Sequence, residues 1–227
     1  LAVGYSIRQK LISNFQTVLP KDLSSLMLGI VFGIKEDFSK DFLNDLRVSG
    51  VMHVIAASGM NVTMTGGFML YLFSLFLKRQ LAIACSILGI LFYAFLASFE
   101  PSIVRASIMG IIAFSALILG RQQFSLYALI LSGFVMLFIS PKLLIDIGFQ
   151  LSFISTLGIL YIPLLFKKWQ NGLNQDLFTT LSAQIATLPI LLMNFGTYSL
   201  WSIVVNALVL WIIPIVMILG AVAALGF

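Results

Sequence analysis

An all-α integral membrane protein, a polytopic bundle of about seven transmembrane helices, is the fold class that three features of this sequence predict. The chain is 60% hydrophobic and only 9% charged, whereas a soluble domain is roughly one quarter charged. Its mean hydropathy is +1.09. Its few charges fall at intervals close to the roughly 20 residues that a helix needs to cross a bilayer, because charged side chains are rarely tolerated at the bilayer centre.

Residues 1–50 precede the first long uncharged interval. Ile7, Leu11, Phe15 and Val18 share one helical face, Pro20 interrupts, and Phe38, Phe42 and Leu46 form a second stripe among polar residues. This region is expected to form short amphipathic interfacial helices on the outer membrane face. The apolar piece from Leu23 to Phe32 is too short to span and is expected to be re-entrant or interfacial. The start, LAVGYSIRQK, lacks the pattern of a signal peptide, and it reads as an internal start in a longer chain.

Residues 51–227 are expected to form the transmembrane domain. Between Arg47 and Lys78 lie 30 residues without Lys, Arg, Asp or Glu. Further uncharged intervals are Gln80–Phe99 with 20 residues, Ala106–Gly120 with 15, Gln122–Pro141 with 20 and Ile147–Phe166 with 20. The 51 residues after Asp176 suit two crossings joined by the turn-like Asn194–Ser199. The third helix reaches spanning length only if it starts near Ser102 and carries Arg105 in its first turn. Loops holding Lys78 with Arg79, Arg121, and Lys167 with Lys168 are expected on the cytoplasmic side. The alternate loops, with Glu100 and then Lys142 with Asp146, are expected to face outward. The excess of basic over acidic residues, 13 − 8 = 5, is small enough for such loops to explain, so charge alone does not nominate nucleic acid.

Polar groups inside these spans carry the functional signal. Ser58, Asn61 and Thr65 follow i, i+3, i+7 and share a helix face, with His53 about one turn nearer the outer end. Gly59, Thr63, Gly66 and Gly67 set small residues beside them, where a helix or ligand can approach the backbone. Asp146, Gln150, Ser152, Ser155 and Thr156 crowd the outer half of the fifth span. Thr180, Gln184 and Thr187 share a face ahead of Pro189, and Asn206 precedes Pro214, so both prolines are expected to break their helices. Several polar stripes in hydrocarbon imply either a shared polar interior or a packed bundle whose groups satisfy one another. Arg105 needs an acidic partner or an anionic ligand; Glu100 and Asp146 are the carboxylates at its level, and a pair is expected, preferably with Asp146.

Several chemistries are disfavoured. The single histidine and single cysteine, Cys85, exclude HExxH and Cys-based metal sites, and no phosphate-binding glycine loop occurs. No metal or cofactor is expected. His53 and Ser58 lie on different sides of a helix, which weighs against an intramembrane hydrolase built from that pair.

Four blocks carry a family resemblance. "HVIAASGMNV" at residues 53–62 resembles the HLLAISGLHV signature of the ComEC competence-protein family. "EPSIVRASIMG" at Glu100–Gly110 resembles its PSVxRA segment, and "LLIDIGFQLSFISTLGIL" at Leu143–Leu160 its DxGFQLSFxAxLGL block. Residues 183–209 are similar to its AQLxTLPL segment. One departure is Asn61, where the family often has a second histidine, so only a hydrogen-bonding role carries over there.

The resemblance implies a channel domain of the bacterial cytoplasmic membrane that takes up single-stranded DNA during natural transformation. It implies an outer DNA receptor and a cytoplasmic helicase-like motor as partners besides membrane lipid, and a homodimer is compatible with it. It also implies flanking OB-like and metallo-hydrolase-like domains outside this sequence, so any nuclease activity is expected there and not in this chain. The pathway residues expected on this reading are His53, Ser58, Asn61, Arg105, Asp146, Gln150, Ser152, Gln184 and Asn206. A small-solute transporter using helix breaks at Pro189 and Pro214 is the alternative from another class.

Overall fold

The computed structural model describes residues 9, 12–32, 38–39, 41–42, 59–122, 124–165, 175–195, 212–213, 215–220 and 223. All its regular elements among these residues are helical. They are α1 (Lys21–Phe32), α2 (Gly59–Ser74), α3 (Arg79–Leu96), α4 (Pro101–Ile118), α5 (Ser125–Ile139), a 3-10 turn at Pro141–Ile145, α6 (Ile147–Leu165) and α7 (Gln175–Phe195). Three of them, α3, α4 and α6, are long and apolar enough to cross a membrane, while α5 and Phe178–Asn194 within α7 are shorter apolar helices. The start of the first expected span and most of the seventh lie outside the described residues, so three spans stand where about seven were expected.

Helices α3 and α5 each bury one stripe and leave large hydrophobics outward. In α3, Ala82, Ile83, Ser86, Ile90, Tyr93 and Ala94 recur at helical spacing and are buried, whereas Leu81, Leu88, Leu91 and Phe92 are exposed. In α5, Ala128, Leu129, Ser132, Gly133 and Met136 are buried, and Tyr127, Ile130, Phe134 and Phe138 point outward. Large outward hydrophobics on successive helices are tolerable in lipid and would be an aggregation surface in water. The protein is therefore membrane-associated.

The connections from α2 through α6 are short, which makes sequential helices neighbours. Residues 75–78 join α2 to α3 in a hairpin that begins with Leu77 N–H donating to Phe73 C=O at 2.8 Å. Val62, Ile90, Tyr93, Ala94, Ala97 and Ile103 form the core where α2, α3 and α4 meet. Between α3 and α4, Ser98 and Phe99 both take left-handed φ values, 56° and 54°, a conformation that costs a non-glycine residue about 1–2 kcal/mol. Pro101 then opens α4 at a position where its missing N–H is no loss. This start extends the short third interval to 18 residues and places Arg105 fifth in the helix, just past the first turn. α6 packs on α4 and α5, and α7 packs on α6.

The helix break expected at Pro189 is not seen, and α1 is packed within protein. α7 runs through Pro189 without ending. A proline removes one ladder bond, and here the helix persists on both sides of that loss. Pro214 lies outside the described residues. α1 is enclosed by protein: Ser24, Ser25, Leu28, Gly29, Ile30 and Val31 are buried at positions that run around most of its circumference. Its neighbours include Phe15 on one side, and Met60 and Met64 of α2 with Ile213 and Met217 on the other. At 12 residues it is about 18 Å long, short of the hydrocarbon thickness. Asp22 in its first turn accepts from the Ser39 N–H at 3.0 Å and the Ser39 hydroxyl at 2.9 Å, and those bonds hold its carboxyl below the ordinary range.

Candidate functional site

Arg105 is the meeting point of three helices. It is 8% exposed, although it carries a permanent charge. Its Nε donates to the Ser152 hydroxyl at 2.8 Å, and one Nη1 hydrogen goes to the Thr156 hydroxyl. Nη1 also lies 3.6 Å from Met109 Sδ, a weak acceptor one turn along α4. Ser152 and Thr156 stand at i and i+4 on α6, which is why one guanidinium reaches both. Thr156 passes its own hydrogen to the Ser152 carbonyl at 2.9 Å, so its oxygen is free to accept from arginine.

Aromatic and small residues shape the rest of the centre. The Phe153 ring lies with its centroid 5.9 Å from the Arg105 guanidinium carbon, within cation–π range. Phe149 packs on Phe153 at 4.4 Å between centroids. Gly133 of α5 makes room for that ring, since a Cβ there would come within 2.9 Å of it. From α2, Gly59 gives the third wall: a Cβ on it would lie 3.2 Å from Arg105 Nη2 and 3.2 Å from the Ala106 Cβ. The blocks around Gly59, Arg105 and Ser152, separated by tens of residues in sequence, thus supply one site.

The expected carboxylate partner is not there. Among the described residues, all three contacts of Arg105 that involve hydrogen-bonding atoms go to hydroxyls or sulfur, so nothing negative balances it. Asp146 is used elsewhere. Its Oδ1 accepts from the Phe149 N–H at 2.7 Å, and a side chain doing this ahead of Ile147 caps the start of α6. Gln150 also serves the turn, donating from Nε2 to the Leu144 carbonyl at 2.7 Å. Both residues were expected along a passage, and the structure uses them to fix where α6 begins and hence where Ser152 and Thr156 stand. Asp146→Ala is accordingly expected to lower stability by about 1 kcal/mol, and Asp146→Asn, which retains a capping oxygen, to leave it nearly unchanged. Thermal unfolding of the purified chain checks both, and equal losses in the two variants would show that the charge matters rather than the cap.

Asn61 is likewise turned away from Arg105. It is buried, and its Nδ2 donates to the Ile30 carbonyl at 2.9 Å, near the end of α1 where helix carbonyls lack intrahelical partners. The hydrogen-bonding role expected at this position is thus observed as a tie between α1 and α2. Gln184 is half-buried on α7, which packs chiefly on α6. His53, Ser58 and Asn206 lie outside the described residues. Thr156 and Phe153 were not among the expected pathway residues. The i, i+4 spacing is the sequence signal that sets Thr156 on the same face as Ser152.

Fold and site together define a helical membrane-associated protein whose α2, α4 and α6 enclose an arginine held by neutral groups among the described residues. The chain belongs to the competence protein family, whose model matches residues 30–227. It is 30% identical to "ComE operon protein 3" of Bacillus subtilis (strain 168) over 220 residues, which is 96% of this chain and 28% of that protein. It is 29% identical to an uncharacterized protein of Aquifex aeolicus (strain VF5) over 190 residues, covering 82% of this chain and 44% of that one. The chain therefore spans less than half the length of these curated relatives. No solved structure matches it at a significant level.

Proposed function

We propose that this chain is the membrane-embedded conduit through which single-stranded DNA is taken up, and that Arg105 meets the DNA backbone phosphate. The observation that carries this reading is the buried charge of Arg105, which no carboxylate balances among the described residues. Burying an ion without a counter-charge costs several kcal/mol, so an arginine held this way by neutral hydroxyls is poised for an anion that arrives from outside. Membership of the competence protein family supports DNA as the source of that anion. A single cation also suits transit better than a basic groove. Each neutralised phosphate adds affinity, and a polymer gripped at many points would not move.

On this reading the chain crosses the bacterial cytoplasmic membrane several times, with residues 1–50 toward the outer face. It receives DNA from an outer receptor, and a cytoplasmic helicase-like motor draws the strand inward. Its part is passage, and strand cleavage belongs to other domains. Uptake of labelled DNA into a nuclease-protected state tests this in cells whose complete protein carries Arg105→Gln. A fall of about tenfold to a hundredfold is expected from loss of one charge-assisted contact. Undiminished uptake at normal protein level would overturn the assignment.

A further inference from the structure

The hydroxyls of α6 limit how Arg105 can hold an anion. A guanidinium has five N–H donors in a rigid fork, and it grips a phosphate firmly when two parallel N–H groups, on Nε with Nη2 or on Nη1 with Nη2, reach two oxygens. In this protein the first of those edges is closed, because Nε donates to Ser152 Oγ at 2.8 Å. The second is closed as well, because Nη1 donates to Thr156 Oγ1 and its other side faces Met109 Sδ at 3.6 Å. Nη2 has no protein acceptor among the described residues, and it faces the Gly59 backbone, where a Cβ would crowd it at 3.2 Å.

From this geometry we infer that Ser152 and Thr156 are specificity-determining residues that reduce Arg105 to a one-nitrogen contact for a phosphodiester, so that the strand is recognised and released. The inference rests on the proposed role of Arg105 toward DNA phosphate and goes beyond it in assigning the hydroxyls a weakening function. Two independent features support it. Ser152 and Thr156 occupy both fork edges at once, which a single structural hydrogen bond would not require. Both hydroxyl groups are also neutral acceptors, so they occupy donors without cancelling the charge that attracts the anion. A carboxylate at either position would occupy the same donors and abolish that attraction.

The consequence is opposite in sign to that of ordinary binding residues: removing the hydroxyl should tighten binding. Ser152→Ala frees Nε beside Nη2, and Thr156→Val frees Nη1 beside Nη2 with little change of shape. Binding of a fluorescent oligothymidylate to the purified chain in lipid nanodiscs reads the effect. Each variant is expected to bind about tenfold more tightly than the unaltered chain, the gain from a second charge-assisted bond. The salt dependence should keep its slope, since the number of phosphates engaged is unchanged. Ser152→Thr, which retains a hydroxyl, should bind as the unaltered chain does. An oligomer with uncharged methylphosphonate linkages should bind all of these alike.

In cells whose complete protein carries Ser152→Ala, DNA should enter more slowly despite the tighter binding. Binding by Ser152→Ala and Thr156→Val no tighter than that of the unaltered chain would overturn the inference. If Arg105→Gln still weakened the charged oligomer in that case, the phosphate role of Arg105 would stand and only the tuning would fall. If Arg105→Gln left the charged oligomer unaffected, both would fall.

Discussion

Arg105→Met is expected to raise the stability of the chain while lowering DNA uptake by about tenfold to a hundredfold. The two effects have one cause. The guanidinium is buried at 8% exposure with no carboxylate among its described partners, and replacing buried ionic groups by apolar ones of similar volume stabilises proteins by about 1–4 kcal/mol. Methionine fits the space of the arginine stem, and its sulfur makes favourable contacts with aromatic rings such as Phe153. Ser152 would lose a donor and not an acceptor, and a serine hydroxyl on a helix can turn back to the carbonyl one turn earlier. Thermal unfolding in detergent should therefore show an increase. An arginine kept for architecture gives the opposite sign, so a destabilised Arg105→Met would mean that the α6 hydroxyl contacts hold the fold together.

Gly158→Val is expected to be the most damaging apolar substitution in the described region. Gly158 lies roughly 120° around α6 from Ser152, where α7 approaches so closely that even a Cβ would come within 2.5 Å of Ala186 Cβ and 2.8 Å of the Ser182 carbonyl oxygen. The second contact is with backbone, so a side-chain rotation cannot relieve it. The helices must separate, and overpacking of this kind costs about 1–3 kcal/mol or more. In lipid the loss is sharper, because close van der Waals packing drives helix association where no hydrophobic effect is available. Protein level in the membrane and thermal unfolding measure it. The milder Gly158→Ala should be only partly rescued by Ala186→Gly, since that pair removes the Cβ contact and leaves the carbonyl contact. Full rescue would show that the backbone contact gives way easily.

The sequence shows the spanning helices, and shows the arginine as anomalous, because both are local properties. Charge spacing locates α3, α4 and α6, and an arginine within an apolar helix needs an explanation whatever surrounds it. What it needs is a nonlocal matter. Asp146 is a natural partner by sign and by level along the bilayer, but N-capping claims it, as the Phe149 N–H contact shows. The competition between capping a helix and pairing with a cation is decided by how α6 is set against α4. The spacing of Ser152 and Thr156 places them on one face and does not say which helix that face meets.

Asn61 shows the same limit. Its place in a polar stripe with Ser58 and Thr65 is correct as helical geometry, yet its amide goes to the end of α1, a segment more than thirty residues earlier. The apolar composition of Leu23–Phe32 shows that the segment is buried in something, and the packing on Met60, Met64, Ile213 and Met217 shows in what. Glycine is the most informative residue type in retrospect. Gly59 was read as permitting close approach, and Arg105 is what approaches it.

Photocrosslinking during uptake tests the central claim most directly. A diazirine amino acid in place of Met109, whose sulfur lies 3.6 Å from Arg105 Nη1, is placed in the complete protein in cells supplied with labelled DNA. Outward-facing Phe134, at 67% exposure, is the control position. The account predicts a covalent DNA adduct from position 109, absent from position 134 and lost when Arg105→Gln is combined with the probe. Cells that take up DNA normally yet give no adduct at position 109, or equal adducts at both positions, would contradict it.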